Sequence, residues 1–116
     1  MAVMKYRDGS GAVRDLLDAT AHIHWVADNV GFYAFDKIGI VTVSFNAYTV
    51  GAWSNVKIAD IPPGYHVAAG STAPLGTVGK DGCWLQVDSN DEILVGCNAM
   101  ALSNDTVWGC AVCILQ

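Results

Sequence analysis

Residues Ile38–Tyr65 read IGIVTVSFNAYTVGAWSNVKIADIPPGY, and the fold turns on this stretch. Val41, Val43, Phe45 and Ala47 fall on one side of an extended chain, and Thr42, Ser44 and Asn46 on the other. Period two of this kind marks a strand with one face in a core and the other wetter. A turn at Gly51 leads to a second apolar run, Trp53–Ala59, and Ile61-Pro62-Pro63-Gly64-Tyr65 follows. Prolines have no amide to donate and fix φ, so a β-ladder stops there. The stretch predicts a hairpin that ends in a rigid corner.

The same punctuation continues on both sides. Val3–Arg7, the turn Asp8-Gly9-Ser10-Gly11, and Val13–Leu17 read as a short hairpin. The apolar positions Val13, Leu16, Leu17, Ala21 and Trp25 also fit helical spacing, so a short helix between Val13 and Val26 is a rival reading. Phe32–Phe35 is an aromatic strand that turns at Asp36-Lys37, and His66–Ala73 is small and mildly apolar, broken at Gly70. Cys83–Val87 and Glu92–Cys97 are predicted strands around the polar turn Asp88–Asp91, with Cys83, Leu85, Val87, Ile93, Val95 and Cys97 inward. Asn98–Asp105 reads as a loop and Thr106–Leu115 as the last strand. About eight short strands at this spacing imply an all-β fold, an antiparallel β-sandwich or jelly-roll-like barrel. We divide the chain into a connector, 1–31, and a head domain, 32–116.

In the last strand neither face is polar. A strand of an antiparallel sandwich keeps one wet face unless something covers it. A neighbouring subunit would do so, with Val107, Trp108, Cys110, Val112 and Ile114 as the candidate interface. Composition agrees. Of 116 residues 53% are hydrophobic and only 15% charged, yet no apolar run approaches the ~20 residues of a membrane span. The surplus is expected to be buried between subunits.

The net charge of −5, without a cationic stripe, disfavours nucleic acid and anionic lipid as partners. Met1–Tyr6 lacks the apolar segment and cleavage site of a secretory signal. Cys83, Cys97, Cys110 and Cys113 are therefore expected to be buried free thiols. Cys110 and Cys113 have CxxC spacing, but residues three apart on a strand point to opposite faces, which argues against a redox or zinc pair.

The strand Ile38-Gly-x-Val-Thr-Val-Ser-Phe45 and the segment Trp53-x-x-x-x-Ile-Ala-x-Ile-Pro-x-Gly-Tyr65 resemble the C-terminal head domains of tailed-phage receptor-binding proteins. The likeness runs more loosely through Gly76-Thr-Val-Gly79, Trp84-Leu-Gln-Val87 and Ile93-Leu-Val-Gly96, and so covers Phe32–Gln116. It implies a homotrimeric β-domain of a virion tail, assembled in the bacterial cytoplasm, which binds host surface polysaccharide beside other tail or baseplate proteins. The shared motifs are fold punctuation and contain no catalytic group.

Saccharide binding needs aromatic faces to stack on sugar rings, and amides or carboxylates for the hydroxyls. Tyr48, Trp53, Asn55, Trp84, Gln86, Asn98, Asn104 and Asp105 are the candidates; packing is the rival role for the aromatics and turn chemistry for the asparagines. His22 and His24 alternate, so on an extended chain both imidazoles project to one side. At a trimer axis they would present six nitrogens to an iron or similar ion, as in some phage fibre and spike tips. The alternative is two partly exposed histidines in a polar connector, with no cofactor. Asp88, Asp91 and Glu92 are the densest acidic cluster, but they lie on a tight turn, where charge keeps a hairpin solvated. With no nucleophile elbow, HExxH or P-loop either, the chain is expected to bind without catalysis: an adhesin head, or alternatively a structural baseplate or fibre-assembly component.

Overall fold

The computed structural model describes residues 5–7, 9–15, 23–77 and 79–116. Its strands, in chain order, are β1 Lys5–Arg7, β2 Val13–Asp15, β3 Ile23–Ala27, β4 Val30–Phe35, β5 Ile38–Val50 and β6 Asn55–Asp60. They continue with β7 Val67–Ala69, β8 Ser71–Pro74, β9 Gly76–Thr77, β10 Cys83–Val87, β11 Glu92–Cys97 and β12 Leu102–Leu115. The described residues contain no helix, and every pairing is antiparallel. One curled sheet runs β3-β4-β5-β12-β7, with β9 also on β12; a second runs β6-β11-β10-β8, and together they make a half-barrel.

The β1–β2 hairpin forms its own two-stranded sheet, in the register Lys5↔Asp15 to Arg7↔Val13. Its turn is fastened by Arg7, which donates to the Gly11 carbonyl at 2.7 Å, and by the Gly9 amide, which donates to the Asp36 carboxylate at 2.8 Å. The rival helix over Val13–Val26 does not form at either end: Val13–Asp15 pairs with β1, and Ile23–Ala27 pairs with β4. Backbone groups spent on a ladder are not free for i→i+4 bonds. The six-stranded sheet thus starts at β3, and the division expected between residues 31 and 32 falls inside β4.

The two strands of the opening stretch do not form a hairpin. β5 pairs with β4 and β12, whereas β6 pairs with β11 in the other sheet. The reason lies in the turn between them. Trp53 stands at φ 58, in the left-handed region, and its amide donates to the Asn98 carbonyl at 2.8 Å. The Cys97 amide returns a bond to the Ser54 carbonyl at 2.9 Å. These bonds tie the turn to the end of β11, so the chain crosses between sheets. The proline corner stands as expected: the ladder ends at Asp60, and the Tyr65 amide donates to the Pro62 carbonyl at 3.2 Å with Gly64 at φ 92. Proline then glycine at the centre gives a type II turn.

Period two also breaks within β5. Val107 faces Phe45, Asp105 faces Tyr48 and Leu102 faces Val50. One residue is therefore extra on β5 between Phe45 and Tyr48, and one on β12 between Leu102 and Asp105. Ala47 (φ 56) and Asn104 (φ 55) are left-handed there, as residues in β-bulges are. The bulges turn Val50 and Leu102 into the core beside Val43 and Val107 and leave Ala47 exposed, contrary to the simple alternation. They also extend the last strand back to Leu102, so Asn104 and Asp105 lie on β12 and not in a loop.

Between the sheets the buried side chains are all apolar among the described residues. Phe32, Leu85, Ile93, Val95, Leu102 and Val107 are fully enclosed, each worth about 1.5–3 kcal/mol of transfer free energy. Phe32 meets Tyr65 edge to face at 5.3 Å, which seats the proline corner on the core. All six side chains expected inward on β10 and β11 are buried.

Candidate functional site

The outer face of the four-stranded sheet is built in rows set by register. Asn55, Gly96, Trp84 and Pro74 lie side by side across its strands, and Lys57, Leu94, Gln86 and Thr72 form the next row. Gly96 carries no side chain, and a β-carbon there would collide with the Trp84 indole, so the ring lies over that glycine. Across the two rows the Asn55 amide nitrogen donates to the Gln86 amide oxygen at 3.2 Å. A half-buried indole flanked by two amides is thus held on rigid strands.

Next to it Gly70, Ser71, Thr72, Gln86, Val87, Asp88 and Ser89 line an open cleft of about 310 Å³. It exists because the chain crosses from β7 to β8 at Gly70, where a β-carbon would strike the Val87 carbonyl. The Thr72 and Ser89 hydroxyls, the Gln86 amide and the Asp88 carboxylate line this cleft, a set that both donates to and accepts from a polyol, whereas the Ser71 hydroxyl is turned inward and donates to the Val112 carbonyl. Ser71, Thr72 and Ser89 were not among the expected site residues. The only mark they leave in the sequence is the small polar run around Gly70, which also suits an ordinary turn.

Of the eight expected binding residues, Asn55, Trp84 and Gln86 come together here. Trp53 belongs to the turn that enters β6, two residues before Asn55, with 77% of its surface exposed. Tyr48 is packed instead: it stacks on Phe45 at 4.4 Å, and burial raises its phenol pKa. Asn98 braces its own loop, its side-chain oxygen accepting from the Met100 amide at 3.3 Å. The Asn104 amide donates to the Thr49 hydroxyl at 3.0 Å within the bulge. Asp105 lies 2.6 Å from Lys80 and accepts from the Ser103 amide at 2.7 Å; these partners, Lys80 first, hold its carboxyl below the usual range.

The acidic turn is likewise occupied by structure. Asp88 accepts from the Asn90 and Glu92 amides. Asp91 accepts from the Val67 amide at 2.7 Å and lies 2.9 Å from His66 Nδ1; the Val67 bond, then His66, lowers its pKa. Lys57 sits between Asp60 at 3.2 Å and Glu92 at 3.7 Å, and its pKa is raised chiefly by the bond to Asp60. His22 lies outside the described residues, as does the side chain of His24. No group of three or more potential metal ligands occurs among the described residues.

No family model, curated protein or solved structure matches this chain.

The other sheet shows a different outer face. Trp108, Val112 and Ile114 of β12 are exposed by 48–49%, and Cys110 is exposed too. Val107, expected with them, is fully buried, because odd-numbered residues of this segment face the core. The exposed β12 row continues through its partners Ile38, Ile40, Thr42 and Ser44 on β5, then Phe35, Tyr33 and Gly31 on β4, to Trp25 on β3. None of these described side chains is charged. Trp25 lies over Gly31 and Trp108 over Gly76, each the residue directly opposite in register, as Trp84 lies over Gly96. Among the described residues no helix is long and apolar enough to cross a membrane.

Proposed function

We propose that the chain is the head of a phage or prophage tail adhesin that binds host-surface saccharide without cleaving it. The observation that carries this is the Trp84 indole over Gly96, flanked by the Asn55–Gln86 amide pair and opening onto the polar cleft. The face of an indole suits the C–H face of a pyranose, and flanking amides, hydroxyls and a carboxylate suit its hydroxyls. A site this shallow gives weak single contacts, so several copies acting together supply the avidity. The test is a glycan array followed by titration of the best ligand against Trp84→Ala. Binding that is lost in the variant supports the reading, and an array without hits removes it.

The alternative, a structural baseplate or fibre-assembly component, draws on the uncharged face of the six-stranded sheet. Contiguous exposed apolar surface beyond roughly a few hundred Å² marks an interaction site. We assign that face first to further copies of the chain, in a homotrimer. An iron ion at the trimer axis, held by His22 and His24, belongs to the same proposal; metal content measured on the purified oligomer tests it.

A further inference from the structure

We propose that Cys83 and Cys97 form a redox-active dithiol that closes to a cross-strand disulfide when the protein meets a small disulfide oxidant. The two residues stand directly opposite each other on β10 and β11. Their backbones point away from one another: the Cys97 amide donates to Ser54, and the Cys83 carbonyl accepts from Leu75 at 3.0 Å. The next residues along, Asn98 and Gly82, carry the ladder bond at 3.0 Å. Cys83 and Cys97 are therefore a non-hydrogen-bonded pair, the kind that brings side chains closest, with α-carbons about 4.5 Å apart. That spacing lies within the roughly 4.4–6.8 Å range of disulfides.

The sulfurs have already met. The Cys83 thiol donates to Cys97 Sγ across 3.2 Å, and both side chains are buried, at 4% and 1% exposure. Closing a bond of about 2.05 Å needs only a small rotation at each Cβ. The other thiols point elsewhere: Cys110 outward from β12, Cys113 into the core from the opposite sheet.

In the exchange, one cysteine attacks as its thiolate on a sulfur of the small disulfide. A mixed disulfide forms and one small thiolate leaves. The second cysteine then displaces the remaining small thiolate. The two cysteine protons end on the two released thiols, and two electrons pass from the pair to the oxidant. Burial, and then the bond to Cys97, push the Cys83 thiol up to about 11, so exchange is slow at neutral pH and quickens as pH rises. The bridge would lie directly beneath the sugar-facing surface, since Trp84 and Gly96 are the adjoining residues of the same two strands.

The test uses the full chain carrying Cys110→Ser, which removes the exposed thiol. It is incubated with oxidised glutathione at neutral and mildly alkaline pH, with and without low urea to promote local opening. Samples are then denatured, alkylated and read by intact mass and peptide mapping. The expected product has lost two hydrogens, retains one alkylatable cysteine, maps to a Cys83–Cys97 link, forms faster at the higher pH and melts at a higher temperature than the reduced protein. Three alkylated cysteines under all conditions, a bridge through Cys113, or a glutathione adduct that never resolves would each overturn the proposal.

Discussion

Trp84 keeps its place because position 96 is a glycine, and a larger residue there would have to push the ring away. Gly96→Val should therefore cost about 1–3 kcal/mol by overpacking and also weaken saccharide binding, both measurable on one sample by melting and titration. Trp84→Ala should leave the fold intact and reduce affinity at least tenfold; unchanged affinity would exclude the indole from the site. Among the described residues, two carboxylates bear on stability in acid. Asp91 and Asp105 have folded pKa values lowered from 3.8 by their bonds to the Val67 amide and to Lys80. Groups of this kind contribute stability that is present above the unfolded value and is lost as pH falls through the folded one. The melting temperature should drop as pH falls below about 4, and Asp91→Asn with Asp105→Asn should flatten that slope. At the alkaline end the sign reverses. The raised Cys83 thiol contributes stability that is complete below 9.0 and lost as pH rises toward about 11.

At the scale of elements, the bulges of β5 and β12 explain both what was legible and what was not. Apolar residues at Val41, Val43 and Phe45 announce their strand by period two, but Tyr48 and Val50 are out of phase with them. No periodic pattern tells whether such a run turns outward or inserts a bulge; here cross-strand pairing to β12 decides it. A testable asymmetry follows. Deleting the bulged Ala47 keeps Phe45, Tyr48 and Val50 on one face, so the protein should still fold, whereas deleting Thr42 from the regular segment reverses every later side chain and should abolish cooperative melting. Ala47→Gly should raise stability by relieving a left-handed alanine, worth roughly 1–2 kcal/mol. Short strands bounded by glycine, proline and polar turns, such as β10 and β11, were readable because their punctuation is local. Partner choice was not: β5 and β6 are consecutive and look like a hairpin, but the bonds that separate them come from Asn98 and Cys97, over forty residues on. The site suffers from the same limit, since Asn55, Trp84 and Gln86 carry suitable chemistry individually and only the sheet order makes them neighbours.

Taken whole, the molecule is a flat body, 46 × 34 × 20 Å; among the described residues the outer row from Trp25 to Ile114 on the six-stranded sheet is uncharged, whereas the other sheet presents charged and amide groups. The apolar β12 row was visible from its sequence; its continuation through Ile38, Tyr33 and Trp25 was not, because those residues meet only through pairing. Light scattering should give a mass above that of one chain, and Val112→Glu should return the protein to a monomer. Cys110, on the same face, should resist maleimide in the oligomer and react in that variant; ready labelling of the wild-type protein would count against an interface there. The placement of the indoles also makes the chain its own optical instrument. Of its four tryptophans, Trp25 and Trp108 report from the apolar sheet and Trp84 from the polar one. Subunit dissociation should thus shift emission to the red through the first two, while a bound sugar perturbs the third, allowing assembly and recognition to be followed in a single unlabelled sample.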